Sequence, residues 1–270
     1  MRDPMLTFTK MNGAGNDFVM VDNRDLRYDL DRTAIARLCD RHRGVGADGL
    51  IAVEPPQGEG DFRMRYYNAD GGEAEMCGNG ARCFARFASR ISGQTGLVKF
   101  ETAAGLIAAK LHHGLVEVVM SVPKDLAPGV PLTVAGQTLT VHFVNTGVPH
   151  AVVLVEALEK VDVVGLGAGL RYHEHFKPKG TNANFVGRRG SDLAIRTYER
   201  GVEGETQACG TGVVAAALIL HEVEGLASPI GVWVQGGDRL EVGFERDGAG
   251  YRHVTLTGPA DFVFDGHVVV

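Results

Sequence analysis

Met76-Cys77-Gly78-Asn79-Gly80-Ala81-Arg82-Cys83 and Ala208-Cys209-Gly210-Thr211-Gly212-Val213-Val214-Ala215 carry one pattern twice, about 132 residues apart in a chain of 270. In each, a cysteine precedes Gly-x-Gly and a helix-like stretch follows, Ala81 to Ser89 in the first and Val213 to Glu222 in the second. A second pair keeps nearly the same offset. Asn12-Gly13-Ala14-Gly15-Asn16-Asp17 leads into the apolar run Phe18 to Val21, and Asn145-Thr146-Gly147-Val148-Pro149-His150 leads into Ala151 to Val155. Both read as a polar, glycine-bearing turn followed by a buried strand. With 37 glycines, a single chance Gly-x-Gly match is expected. Two pairs at one offset point instead to an internal duplication. Such a chain folds as two similar halves, with a cleft between them as the usual home of a small molecule.

Outward from these motifs the pattern is strand-rich. Alternating stretches at Leu115 to Val122, Val130 to Val144, Leu193 to Tyr198, Ile230 to Val234 and Tyr251 to Thr257 predict strands. Helical period is scarce and includes Arg32 to Arg41. The expected fold class is therefore α+β with one buried helix per half. Residues 1–125 form the half with Cys77 and residues 126–270 the half with Cys209, with the C-terminal strands free to return to the first half.

Composition excludes several classes of function. The net charge is −6 and the basic residues are scattered, so no stripe tracks a phosphate backbone and no nucleic-acid partner is expected. Met1 to Asn12 holds no apolar signal core, and the longest apolar run, Val213 to Leu220, is too short to span a bilayer. The expectation is a cytoplasmic protein without a membrane partner. Four cysteines (Cys39, Cys77, Cys83, Cys209) are too few for a disulfide scaffold.

The position of Cys77 and Cys209 before a glycine-rich helix start gives them chemistry. Backbone N–H groups of a first turn have no partner within their own helix and favour an anion nearby. An ordinary thiol titrates near about 8.5, and a helix N-terminus is among the settings that lower this to roughly 3.5–7.5. Glycine lets the backbone approach a ligand, so the same turn can hold a carboxylate. Two such motifs facing each other suit an α-amino acid: one thiolate removes the Cα proton while the opposite thiol returns one to the other face. Fixed N–H dipoles on the carboxylate then stabilise the carbanion, and no cofactor is expected. A buried cysteine by itself is usually only a small apolar residue, which is the reading for Cys39 and Cys83. Cys77 and Cys83 lack the Cys-x-x-Cys spacing of a zinc site, so no metal is expected.

These residues resemble the diaminopimelate epimerase family. The matching stretches are Lys10 to Phe18, Asp40 to Gly49, Asn68-Ala69-Asp70-Gly71, Cys77 to Cys83, Thr181 to Phe185, Tyr198 to Gly201 and Gly204 to Gly212. The resemblance implies two pseudo-symmetric halves, each a strand-rich sheet wrapped around a central helix. It implies an isomerase that interconverts LL- and meso-2,6-diaminopimelate, on the bacterial route to lysine and peptidoglycan precursors. Cys77 and Cys209 match the two catalytic cysteines, and His150 and Glu199 the residues that adjust the thiols. Asn16, Asn68, Asn182, Glu199 and Arg200 match substrate-binding positions, with Gly78, Asn79, Gly210 and Thr211 at the carboxylates. Phe264 matches an aromatic at a dimer contact, which implies a homodimer. Val148 and Gly49 stand where some members carry asparagine and glutamine, and the link from Glu199 to Cys209 is one residue longer.

Two other readings remain at this point. A proline racemase or hydroxyproline epimerase also uses two cysteines in Cys-Gly motifs. A thiol redox-sensing binding protein would instead join Cys77 and Cys209 in a regulatory disulfide.

Overall fold

The computed structural model describes residues 5–74, 76–248 and 250–269. Two compact units divide the chain, Met1–Val118 with Gly258–Val270, and Val119–Thr257. In order, the elements are β1 (Met5–Gly13), β2 (Asn16–Asp22), α1 (Arg32–Cys39), β3 (Gly49–Glu54), β4 (Phe62–Asn68), β5 (Glu73–Ala74), α2 (Gly78–Ser92), β6 (Leu97–Thr102), β7 (Gly105–His112) and β8 (Leu115–Val119). There follow β9 (Lys124–Val134), β10 (Gln137–Asn145), β11 (Pro149–Leu154), α3 (Val163–Arg171), β12 (Asn182–Arg189), β13 (Asp192–Glu199), β14 (Gly204–Thr206), α4 (Gly210–Glu224), β15 (Ile230–Trp233), β16 (Arg239–Asp247), β17 (Gly250–Pro259) and β18 (Asp261–Val269).

Pairing within the first unit runs β18 antiparallel to β1, β1 antiparallel to β2, β2 parallel to β3, β3 antiparallel to β4, β4 parallel to β6, and β6, β7 and β8 antiparallel in turn. The second unit repeats that order and polarity with β9, β10, β11, β12, β13, β15, β16 and β17. The duplication is thus one of topology as well as of motif. Helix α2 contacts β1, β2, β3, β4, β6 and β7, and α4 contacts their counterparts β10, β11, β12, β13, β15 and β16. Each unit is a strand-rich sheet wrapped around a central helix.

The two central helices begin three residues earlier than their apolar periodicity suggests. Cys77 (φ −134°, ψ 123°) and Cys209 (φ −122°, ψ 104°) are the extended N-cap residues, so the following glycines already belong to the first turn. Glycine is demanded most firmly at Gly212, where a Cβ would lie 2.4 Å from the hydrogen-bonded Asn184 Oδ1; one on Gly80 would lie 2.9 Å from Ile51 Cδ1, the end of a side chain that can shift. Both helices end at a left-handed glycine, Gly93 and Gly225, whose N–H returns to the carbonyls of Ser89 and His221. From Val213 to Leu220 every residue of α4 is buried, which explains its lack of a polar face.

Two elements differ from the sequence reading. The stretch Val130 to Val144 is a hairpin, β9 and β10, turned at Ala135 and Gly136 with φ of 49° and 78°. Helix α3 had no sequence signal because Gly165, Gly167 and Gly169 weaken its helical propensity. Packing requires two of them: a Cβ on Gly167 would lie 2.4 Å from Tyr198 Cβ, and one on Gly169 would lie 2.5 Å from Val134 Cγ1. With glycine there, α3 covers Val134, Val153, Phe185 and Tyr198, the core of the second sheet's other face. Among the described residues no helix is long and apolar enough to cross a membrane.

Candidate active-site residues

In the first unit the sequence-predicted residues gather at one end of the sheet. Asn16 opens β2, Gly49 opens β3, Asn68 closes β4 opposite Gly49, and Cys77 caps α2. A one-way hydrogen-bond relay fixes the first turn of the helix. Arg82 Nη2 donates to Asn79 Oδ1 (2.8 Å), Asn79 Nδ2 donates to Asn16 Oδ1 (2.6 Å), and Asn16 Nδ2 donates to Asp48 Oδ2 (2.9 Å). Because a guanidinium stands at one end and a carboxylate at the other, both amides have only one consistent orientation. Asp48 in turn accepts from Arg41, which forks onto Asp17 at 2.7 and 2.9 Å. Burial by itself would raise the Asp17 carboxyl, but Arg41 and Lys10 outweigh it and hold the group at about 2. Asn68 is exposed, its Oδ1 accepting from Tyr66 Oη at 3.0 Å.

The second unit places its residues on the equivalent strand ends. Pro149 and His150 open β11, Asn182 opens β12 beside His150, Glu199 closes β13, and Cys209 caps α4. Cys209 Sγ lies 3.6 Å from Thr211 Oγ1, and the Thr211 carbonyl accepts from Thr146 Oγ1. Asn182 Oδ1 accepts the Arg200 amide at 2.7 Å, and its Nδ2 donates to the Pro149 carbonyl. The Arg200 guanidinium reaches the Lys179 carbonyl. The link beyond Glu199 folds back on itself: the Glu203 amide closes on the Glu199 carbonyl, β14 pairs with β13, and Thr206 Oγ1 donates to Glu199 Oε2 at 3.0 Å. Burial raises the Glu199 carboxyl above its usual range, opposed only by that hydroxyl.

His150 is fully buried. Burial, with the Arg200 charge adding to it, pushes its imidazole down to about 3, so the native protein keeps the ring neutral. The unfolded chain binds a proton there below about 6.5, and stability is therefore lost as pH falls from that value toward about 3. Asp17 loses its contribution only below the ordinary carboxylate range, and raised Glu199 acts with the opposite sign, gaining as pH falls. We expect chemical denaturation between about pH 6.5 and 4.5 to show an acid loss in the wild type that His150→Gln reduces by an amount on the order of a few kcal/mol. Equal slopes in the two proteins would contradict the neutral buried ring.

The other two cysteines sit in the core of the first unit. Burial pushes the Cys83 thiol up to about 12 and the Cys39 thiol up to about 11. A Cβ on Gly13 would lie 2.9 Å from Cys83 Sγ, so Cys83 is packing against the β1 turn.

The family model for diaminopimelate epimerase matches residues 8–124 and 142–263. The chain is 42% identical to the diaminopimelate epimerase of Aquifex aeolicus over 276 residues, covering 97% of this chain and 98% of that protein. The chain belongs to the diaminopimelate epimerase family. The diaminopimelate epimerase of Archaeoglobus fulgidus is 40% identical, covering 97% of this chain and 95% of its own. Solved structures share the fold at low identity. A phenazine biosynthesis protein of the PhzF family from Bacillus anthracis has a TM-score of 0.75 at 16% identity, covering 98% of this chain and 99% of that one. A hydroxyproline epimerase from Agrobacterium vitis with bound trans-4-hydroxy-L-proline has a TM-score of 0.73 at 16% identity, covering 99% and 92%.

Within this diaminopimelate epimerase family member, Gly49 has a local explanation. A Cβ there would lie 2.5 Å from the Tyr67 carbonyl and 2.8 Å from the Tyr66 ring, so the Tyr66 side chain takes the space beside position 49. Sequence reasoning missed Asn184, Thr146, Asp48 and Arg82 as supports of the candidate residues. For Asn184 a signal existed: an asparagine within the apolar strand Ala183-Asn184-Phe185-Val186 must find buried partners.

Proposed function

We propose that this protein is a cofactor-independent diaminopimelate epimerase, inverting one α-carbon of LL-2,6-diaminopimelate to give the meso form for lysine and peptidoglycan precursor synthesis. The observation that carries the reading is the duplicated Cys-Gly helix start: in a member of this family, Cys77 and Cys209 are the N-caps of matching central helices in two units of one topology. One cysteine, as thiolate, takes the Cα proton as the C–H bond breaks. The other, as thiol, gives its proton to the opposite face, so the pair ends with its protonation states exchanged. The first-turn amides at Gly78, Asn79, Gly210 and Thr211 hold the reacting carboxylate, where negative charge develops. Asn16, Asn68, Asn182, Glu199 and Arg200 take the ammonium groups and the distal carboxylate, with Arg200 suited to a forked carboxylate contact. His150 and Glu199 adjust the thiols.

The working form is a cytoplasmic homodimer that uses the face of β18 around Phe264. That ring is 49% exposed and packs edge-on against Phe8 at 5.9 Å.

The reduced protein, given LL-2,6-diaminopimelate in D2O, is expected to form the meso isomer with deuterium at the inverted Cα. Turnover of proline or 4-hydroxyproline in its place would move the substrate assignment and keep the two-thiol chemistry. No exchange with any of the three would overturn the reading.

A further inference from the structure

Asn184, on β12, stands at the middle of a buried polar set that reaches His150 on β11 and Thr197 on β13. Its side chain is fully buried, as is that of His150. Asn184 Nδ2 donates to the Ala151 carbonyl at 2.9 Å and lies 3.1 Å from His150 Nδ1, while Asn184 Oδ1 accepts from Thr197 Oγ1 at 3.0 Å. A backbone carbonyl can only accept, so the amide nitrogen must face Ala151. The same nitrogen then points its second N–H at His150 Nδ1, which has to be the bare, accepting nitrogen of the ring. The imidazole proton is left on Nε2, and Nε2 has no hydrogen-bond partner among the described residues. Asn184 Oδ1 also packs against the first turn of α4, where a Cβ on Gly212 would lie 2.4 Å from it and 3.4 Å from Cys209 Cβ.

We propose that Asn184 is a positioning residue for His150. Held by Ala151 and Thr197, its amide locks the imidazole proton on Nε2, so that His150 serves the reaction as an uncharged hydrogen-bond donor and not as an imidazolium. The proposal rests on the epimerase reading for its use but not for its chemistry. A buried N–H without an acceptor is costly, and an anion satisfies it. The natural acceptor is the thiolate or carboxylate of the working site. Because the ring carries no charge to lose, its donor strength is constant across the pH range in which an ordinary histidine would titrate.

The test is nitrogen NMR of the ligand-free protein labelled in its histidine rings, with the His150 signals assigned by their loss in His150→Gln. The expected result is a bare Nδ1 and a protonated Nε2, unchanged from about pH 5 to about pH 8. A proton on Nδ1, or an imidazolium in that range, overturns the proposal whether or not the protein turns over diaminopimelate. In Asn184→Leu the amide donor is gone, so nothing keeps Nδ1 bare and the proton is no longer confined to Nε2. The expected kinetic effect is a fall in kcat of about 10²-fold, with KM changed much less. If that variant does not fold, the wild-type spectrum still decides the tautomer. If it folds and His150 keeps its proton on Nε2 alone, Asn184 does not set the tautomer.

Discussion

Epimerisation is expected to fall by about 10³-fold or more in Cys77→Ala and in Cys209→Ala alike, with the fold retained. Both residues are N-caps whose side chains make no capping hydrogen bond, so alanine removes the sulfur without taking a cap from the helix. The loss should be equal in the two directions of reaction, because inversion needs both an acceptor and a donor in every cycle. For the same reason the double variant should be little worse than either single one: once one proton carrier is gone, the other has nothing to work with. Serine sharpens the comparison. Its hydroxyl is a preferred N-cap group, so Cys77→Ser and Cys209→Ser should melt at or above the wild-type temperature while remaining inactive, the hydroxyl being far too weak an acid to exchange protons as a thiol does. Either alanine variant keeping a tenth of the wild-type kcat, with its thermal transition intact, would remove that cysteine from the reaction.

The parts of the molecule that the sequence discloses are those in which one physical constraint acts alone. A helix that is apolar all round, as from Val213 to Leu220, can only be buried, and each cysteine before Gly-x-Gly marks the N-cap of a central helix. The repeat made this reading stronger, since two coincidences at one offset are hard to explain by composition. Helix α3 was not legible because tertiary packing overrides local propensity there: Gly167 and Gly169 are poor helix residues that the contacts with Tyr198 and Val134 demand. The hairpin of β9 and β10 reads as one alternating stretch because Ala135 is an unusual residue for a left-handed turn position. The supports of the candidate residues were hidden for a further reason. Asp48 lies 32 residues from Asn16, and Asn184 lies 34 from His150, and nothing local announces either pair. Arg82 was the hardest of all, since an arginine on a helix is ordinarily a solvent-facing residue.

Arg82 is nevertheless fully buried, and its replacement should produce the largest stability change in the first unit. Its Nε donates to the Pro259 carbonyl at 3.2 Å, in the segment that returns to this unit, and its Nη2 donates to the Gly13 carbonyl at 3.4 Å as well as to Asn79. One side chain thus joins the end of β1, the returning segment and the first turn of α2. Leucine there fills part of the space but supplies no donor, so at least two acceptors lose their partner. At about 1–3 kcal/mol for each stranded buried group, Arg82→Leu should cost on the order of 3 kcal/mol, a drop of roughly 5 °C in Tm for a chain of this size. Lysine carries the charge but not the planar fork, so Arg82→Lys should fall between the two. The kinetic consequence follows from the relay. Without Arg82, Asn79 can turn its amide, and the donor it aims at Asn16 is no longer held, so KM should rise more than kcat falls. An Arg82→Leu protein within about 0.5 kcal/mol of wild type would mean that these carbonyls find other donors. The orientation of Asn79 and Asn16 would then have to be set from the Asp48 end of the relay alone.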